Sequence, residues 1–152
     1  MSAPGRVVGV AHTGITTSDM SRSVRLFRDV LGLPVTDPVL YTDPIFERIT
    51  GIPGANIEVA YVDFPGHKVE LLDYKKPIER ATSTLLPCDN GHLHLSLLVS
   101  GIDDLVIRLE KEGFRAAGPI QSAINDGVSC RAIYTYGPDN LLLELMDFST
   151  DS

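Results

Sequence analysis

The chain has 152 residues, 43% of them hydrophobic, and a formal net charge of −7 at pH 7. This length suits one compact domain with a sizeable core, whereas an acidic chain without a Lys/Arg cluster lacks the basic surface that nucleic acids require. No stretch is long and apolar enough for a membrane span, and the N-terminus lacks the features of a signal peptide. We therefore expect a cytoplasmic protein that binds small molecules and neither nucleic acid nor membrane, with Cys88 and Cys130 as reduced thiols.

The first half of the sequence predicts a strand, a helix and a strand hairpin. In chain order, these elements are a strand over residues 7–17, a helix over residues 20–31, and two strands over residues 57–64 and 68–74. Gly32 lies where a left-handed residue ends a helix, and Pro65 and Gly66 supply the hairpin turn. Prolines and glycines punctuate residues 34–54, where we expect one strand and a loop or short helix.

The second half predicts the same order after a polar connection. A strand is expected over residues 92–99, then a helix over residues 102–112 that ends at Gly113, and further strands that close with residues 141–146.

The two halves form an internal repeat. The interval from His12 to Gly32 is 20 residues (32 − 12), and that from His94 to Gly113 is 19 (113 − 94), so strand, helix and glycine recur nearly in register. We expect one domain over residues 1–152, with a first module of about 6–75, a linker of about 76–91 and a second module of about 92–148. Modules of this kind are expected to pack together and to share a site.

Each half carries a histidine in its first predicted strand and a glutamate in its last. The first pair is His12 and Glu70, 58 residues apart (70 − 12), and the second is His94 and Glu144, 50 apart (144 − 94). Glu144 stands in a run of leucines, where a charge is costly unless a cation or a proton compensates it. Two imidazoles and two carboxylates in one space would compensate a divalent ion and leave coordination positions open.

The pattern therefore predicts one divalent metal ion held by His12, Glu70, His94 and Glu144. This mixed set of nitrogen and oxygen donors suits Ni, Co, Zn, Mn or Fe and lacks the thiolates of a structural zinc site. Each residue also has an ordinary alternative, because a lone histidine is more often hydrogen-bonded and a lone glutamate is more often solvated or paired with an arginine. His92 either donates a hydrogen bond to a metal ligand, is itself an alternative ligand or is exposed, whereas His67 is expected to be exposed.

Several short motifs add a family resemblance. They are HTGI at 12–15, SDM at 18–20, FRDVLGL at 27–33, VELL at 69–72, GHLH at 91–94, IDDL at 102–105, GPDN at 137–140 and LEL at 143–145. Together they resemble the vicinal oxygen chelate superfamily, which includes glyoxalase I, methylmalonyl-CoA epimerase, extradiol dioxygenases and bleomycin or fosfomycin resistance proteins. The resemblance covers nearly the whole chain. It implies an α+β fold of two tandem βαβββ modules forming a curved, open mixed sheet around a metal site, often in a homodimer.

The His/Glu/His/Glu set is similar to that of bacterial glyoxalase I. The resemblance implies a metal-dependent isomerase, epimerase or lyase that removes a proton next to a metal-chelated carbonyl. Glu144 is the first candidate for the catalytic base and Glu70 the second. Epimerases of this superfamily place a separate glutamate base upstream, and here Glu47 and Glu58 do not fall clearly at its interval.

Two other functions remain open. An extradiol dioxygenase uses Fe(II) held by two histidines and one carboxylate, so a fourth protein ligand argues against it. A non-enzymatic protein that binds an antibiotic or metabolite is the other, and the intact ligand set argues against it. Residues 37–55 either cover a substrate or form a surface loop. Four tyrosines either line a cavity or pack in the sheet: Tyr61, Tyr74, Tyr134 and Tyr136.

Overall fold

The chain divides into two units, Met1–Glu79 and Arg80–Ser152, in a computed structural model that describes residues 4–125 and 127–148. The division falls inside the predicted linker of residues 76–91. No helix of the described ranges has both the length and the apolar character needed to cross a membrane.

The first unit contains one four-stranded sheet. Its elements are β1 (Thr13–Thr16), α1 (Met20–Arg25), β2 (Val39–Tyr41), α2 (Ile45–Thr50), β3 (Asn56–Phe64) and β4 (His67–Lys76). The strand order is β1-β4-β3-β2, with β1 parallel to β4 and the other neighbours antiparallel. The first strand of the unit therefore lies beside its last strand.

Local sequence explains the helix of the first unit. Asp19 caps α1, since its side chain accepts a hydrogen bond of 2.9 Å from the backbone N–H of Arg22. Phe27 is fully buried and lies in a wider π-helical turn, Leu26–Val30, that continues α1. Gly32 follows with φ +73°, so the predicted helix and its glycine stop are confirmed.

The second unit repeats this topology. Its elements are β5 (Leu95–Val99), α3 (Ile102–Lys111), β6 (Arg115–Ala116), β7 (Gln121–Asn125), β8 (Val128–Tyr136) and β9 (Leu142–Asp147). The strand order is β5-β9-β8-β6, β7 also pairs with β8, and β5 is parallel to β9. The repeat and the α+β class with open mixed sheets are thus confirmed.

The predicted first strand of each half starts too early. The strand expected from residue 7 begins at Thr13, and the strand expected from residue 92 begins at Leu95. In the first unit the partner strand accounts for residues 7–10: Thr13 pairs with Val69, so the first residue of β4, His67, lies opposite residue 11. Val7 and Val8 have β-propensity without a partner strand in the described residues, and they are 91% and 89% exposed.

Each closing strand has a buried face and a face that carries the predicted glutamate. In β4, Val69 and Leu71 are fully buried, and in β9, Leu143 and Leu145 are fully buried. Glu70 and Glu144 alternate with these residues and are half-buried, so they project from the opposite face of their strands.

Candidate metal centre

His12 and Glu70 form a close pair in the first unit. His12 Nε2 lies 3.1 Å from Glu70 Oε2, and the two side chains are 40% and 16% exposed. The pair exists because β1 and β4 are parallel and Gly14, two residues after His12, pairs with Glu70. His12 itself directly precedes β1.

Tyr61 adds a third side chain to this pair. It lies directly across the β3–β4 ladder from Glu70, and its hydroxyl donates a hydrogen bond of 2.7 Å to Glu70 Oε1. This bond, followed by burial and by the charge of Glu70, raises the pKa of Tyr61 to about 12. Both oxygens of Glu70 are therefore occupied, one by Tyr61 and the other by His12.

The second unit contains the equivalent residues at the same register. His94 Nε2 lies 3.3 Å from Glu144 Oε2, and Ser96, two residues after His94, pairs with Glu144. Tyr134 lies directly across the β8–β9 ladder from Glu144, and its ring centroid is 5.2 Å from that of His94. Burial, followed by the charge of Glu144, raises the pKa of Tyr134.

The spacing within each pair fits two neighbouring ligands of one ion. Donor atoms bound at about 2.0–2.2 Å, in octahedral or tetrahedral geometry, lie roughly 2.8–3.6 Å from each other. The two observed His–Glu separations, 3.1 and 3.3 Å, fall in this range. Two carboxylates from two pairs would also balance the charge of a divalent ion.

The structure presents these residues as two pairs. Across residues 4–125 and 127–148, no group of three or more His, Cys, Asp or Glu side chains is close enough to hold a metal ion. A single centre with all four ligands accordingly stays a prediction.

Neither alternative glutamate of the sequence joins the Glu70 pair. Glu58 lies three residues before Tyr61 on β3, so it projects from the opposite face of the sheet, where its Oε2 is 3.0 Å from Lys75 Nζ. Hydrogen bonds to Asp73 and then to Glu58 raise the pKa of Lys75. Glu47 in α2 instead accepts a hydrogen bond of 3.1 Å from the backbone N–H of Gly54.

The other two histidines lie outside both pairs. The prediction that His67 is simply exposed is wrong, because it is half-buried and its Nε2 lies 2.9 Å from Thr13 Oγ1 at the start of β1. His92 is also half-buried, and its backbone N–H donates to Asp89 O at 3.1 Å.

The four tyrosines of the sequence prediction separate into two groups. Tyr74 packs against buried Ala55, Ile57 and Val59, and Tyr136 lies under the Arg115 guanidinium at 4.8 Å from ring to cation. Tyr61 packs on the same cluster as Tyr74, but its hydroxyl also bonds to Glu70, and the ring of Tyr134 lies against His94. These contacts with the His–Glu pairs were not predicted. The hairpin turn at residues 65–66 was the available signal, because it places residue 61 opposite residue 70.

Comparisons with known proteins agree with this architecture. The model of the Glyoxalase/Bleomycin resistance protein/Dioxygenase superfamily matches residues 9–145. The uncharacterized protein YwbC of Bacillus subtilis (strain 168) is 25% identical over 138 residues, which are 89% of this chain and 94% of that protein.

Solved structures show the same fold at low identity. A glyoxalase family protein from Bacillus cereus has a TM-score of 0.81 and 22% identity, over 97% of this chain and 98% of that chain. The fosfomycin resistance protein FosX from Mesorhizobium loti has a TM-score of 0.57 and 18% identity, over 95% and 94%. A mutant FosX from Listeria monocytogenes was solved in complex with Mn(II) and 1S,2S-dihydroxypropylphosphonic acid. It has a TM-score of 0.57 and 15% identity, over 92% of this chain and 90% of that chain.

Proposed function

Since the chain belongs to the Glyoxalase/Bleomycin resistance protein/Dioxygenase superfamily, the vicinal oxygen chelate proteins, we propose that it is a metal-dependent isomerase, epimerase or lyase. Its substrate is a small molecule with a carbonyl group and an acidic proton on the neighbouring carbon. The observation that carries this proposal is the repeated His–Glu pair, with donor separations of 3.1 and 3.3 Å in two units of matching register.

His12, Glu70, His94 and Glu144 would hold one divalent ion, which is Ni, Co, Zn, Mn or Fe by the chemistry of the donors. The Mn(II) of the FosX complex makes manganese one of the ions to test. The protein acts as a homodimer in this proposal, and the two pairs that share an ion come from one chain or from two copies.

When bound, the ion acts as a Lewis acid towards the substrate carbonyl and stabilises negative charge on its oxygen. Glu144 is the first candidate to take the proton: the C–H bond breaks, an O–H bond forms on the carboxylate, and the electron pair moves into the carbonyl group. Return of this proton to a different position or face gives the isomer or epimer. Glu70 is the second candidate for this role.

The first experiment is metal analysis of purified protein, expressed per chain, after loading with each of the five ions. We expect about one ion per chain in the wild type and loss of that ion in a His12→Ala, Glu144→Ala double variant. A His67→Ala, Glu58→Ala double variant is the matched control, because it makes the same two changes of residue type outside the pairs. Wild-type protein that stays empty with every ion would refute the proposal and favour a binding protein.

The second experiment tests the reaction class. Metal-loaded protein is incubated in D2O with α-hydroxy ketones, hemithioacetals or acyl-CoA esters, and exchange of the α-proton is followed by NMR. Exchange that needs both the metal and Glu144 supports proton abstraction. Bound iron with catechol-dependent oxygen uptake, and no exchange, would replace it with extradiol dioxygenase activity.

A further inference from the structure

The two repeated sites differ in one contact. In the first unit, Tyr61 donates a hydrogen bond of 2.7 Å to Glu70 Oε1. In the second unit, Tyr134 occupies the same register position opposite Glu144, but within the described residues neither its hydroxyl nor any other protein donor bonds to Glu144 Oε1. The two tyrosine–glutamate pairs thus have the same residue types and the same register, but only the first forms a hydrogen bond in the described residues.

This hydrogen bond determines which carboxylate oxygen of Glu70 is available to a metal ion. One carboxylate oxygen, Oε1, is used by the phenol, and the other, Oε2, lies on the side of His12 Nε2 at 3.1 Å. A hydrogen bond from a neutral donor to a carboxylate is stronger than one between two neutral groups, so it restrains rotation of the Glu70 side chain. A single oxygen then points towards the space that His12 also faces.

The phenol itself is held in place by the sheet. The Tyr61 ring packs on the apolar cluster that includes Val59 and Leu72, and it meets the His12 ring edge-on at 6.4 Å between centroids. The backbone N–H of Tyr61 donates a hydrogen bond of 2.9 Å to Thr36 Oγ1, which connects β3 to the segment before β2. These contacts of its ring and backbone therefore fix the position of the Tyr61 hydroxyl.

We propose that Tyr61 is a positioning residue that fixes Glu70 as a one-oxygen metal ligand, and that Glu144 has no equivalent restraint from residues 4–125 and 127–148. This inference rests on the proposed function, because it concerns the same metal. Partners of metal ligands orient them, and their removal typically weakens metal binding by about 10- to 100-fold.

The test compares three tyrosine variants that each lose only a hydroxyl: Tyr61→Phe, Tyr134→Phe and Tyr74→Phe. Co(II) serves as the probe, and its dissociation constant is measured by competition with a chromophoric chelator. We expect Tyr61→Phe to weaken Co(II) binding about 10- to 100-fold and Tyr134→Phe to weaken it less. Tyr74→Phe, which alters a packing residue outside both pairs, keeps the wild-type affinity.

A second readout separates positioning from a general structural effect. The visible absorption of bound Co(II) reports the number and arrangement of its ligands, so it changes in Tyr61→Phe if Glu70 turns or binds through both oxygens. We expect the visible absorption of bound Co(II) to stay unchanged in Tyr74→Phe. Thermal unfolding of the metal-free variants verifies that each is folded.

The outcomes distinguish this inference from the proposed function. Wild-type Co(II) binding with unchanged affinity and spectrum in Tyr61→Phe overturns the positioning role and leaves the proposed function standing. Equal losses in Tyr61→Phe and Tyr134→Phe overturn the inferred inequality between the two glutamates. Wild-type protein that binds neither Co(II) nor any other tested ion overturns both proposals.

Discussion

His12 and Glu70 are separated by 58 positions in the sequence (70 − 12), yet His12 Nε2 lies 3.1 Å from Glu70 Oε2. The parallel pairing of β1 with β4 produces this contact, because it returns the last strand of the unit to the side of the first. The same pairing of β5 with β9 brings His94 to Glu144. A βαβββ unit of this topology therefore builds one His–Glu pair at the start of its first strand.

The hydrogen bond between Tyr61 and Glu70 makes a prediction about ionisation in the metal-free protein. The pKa of Tyr61 is raised to about 12 because its hydroxyl donates to a carboxylate and its phenolate would face that negative charge. In Glu70→Gln the charge is gone, so we expect the pKa of Tyr61 to fall towards the ordinary value of 10.0. Titration of tyrosine labelled with ¹³C at Cζ, followed by NMR while the protein stays folded, measures it.

Glu144→Gln is the matched control for this titration. It should leave Tyr61 unchanged and lower the pKa of Tyr134, because the charge of Glu144 contributes to the raised pKa of that phenol. The lowered pKa of Tyr61 in Glu70→Gln is the key result; a pKa equal to that of the wild type would show that the hydrogen bond of the structure does not persist in solution.

Local sequence was sufficient for much of this arrangement. The repeat indicated a histidine and a glutamate at matching positions of each half, because alternation along strands and the order of elements are local properties. The binding of one ion by all four residues stays a prediction. The Pro65–Gly66 turn similarly defines the β3–β4 register, from which the Tyr61–Glu70 contact follows.

Features that depend on distant partners were not predictable in the same way. Strand pairing at residues 7–10 requires a neighbour, and β4 begins too late to supply one, whatever the β-propensity of Val7 and Val8. The ion pair of Glu58 with Lys75 was likewise not predicted, because it depends on the register of β3 with β4. One strand and a loop or short helix were expected over residues 34–54, and β2 and α2 lie there. The bounds of α2 were not predictable, because six residues are too few for a clear helical period.

Lys75 gives a second prediction, which concerns stability. Its Nζ lies 2.5 Å from Asp73 Oδ2, and Asp73 is only 4% exposed. Lys75→Met removes a charged partner from this buried carboxylate. Loss of such a partner costs about 1–3 kcal/mol when the group removed is buried, and the cost is lower here because the Lys75 side chain is 44% exposed. We expect a loss of about 1 kcal/mol in the free energy of unfolding by urea at pH 7.

The pH dependence of that loss follows from the sign of the shift. The pKa of Lys75 is raised in the folded protein, so its contribution is fully present below its ordinary pKa of 10.5 and disappears as the pH rises through the folded value. Lys76→Met, one residue along β4, controls for removal of a positive charge. An equal loss in both variants would contradict a specific role of Lys75.

A third prediction concerns the buried face behind Glu144. Leu143 is fully buried, with 0% exposure, on the face of β9 opposite Glu144. Leu98 on β5 is 80% exposed. Truncation of a buried leucine costs about 2–5 kcal/mol through lost transfer energy and a cavity. Leu143→Ala should therefore lower the free energy of unfolding by about 2–5 kcal/mol, and Leu98→Ala by less than about 0.5 kcal/mol. Comparable effects in urea unfolding would mean that the two faces of the sheet are assigned wrongly.

Gly137 leads to the last prediction, because it stands at the loop that joins β8 to β9 and so precedes Glu144. A Cβ built on Gly137 would overlap the ring of Phe114, which is 5% exposed and has little room to move. Gly137→Ala should therefore destabilise the protein by about 1–3 kcal/mol, the usual cost of inserting atoms into a packed site. Gly118→Ala is the control, since a Cβ there meets no atom within 4 Å and its backbone is not left-handed. Urea unfolding measures both, and a Gly137→Ala protein as stable as the control would show that Phe114 does not pack against this turn.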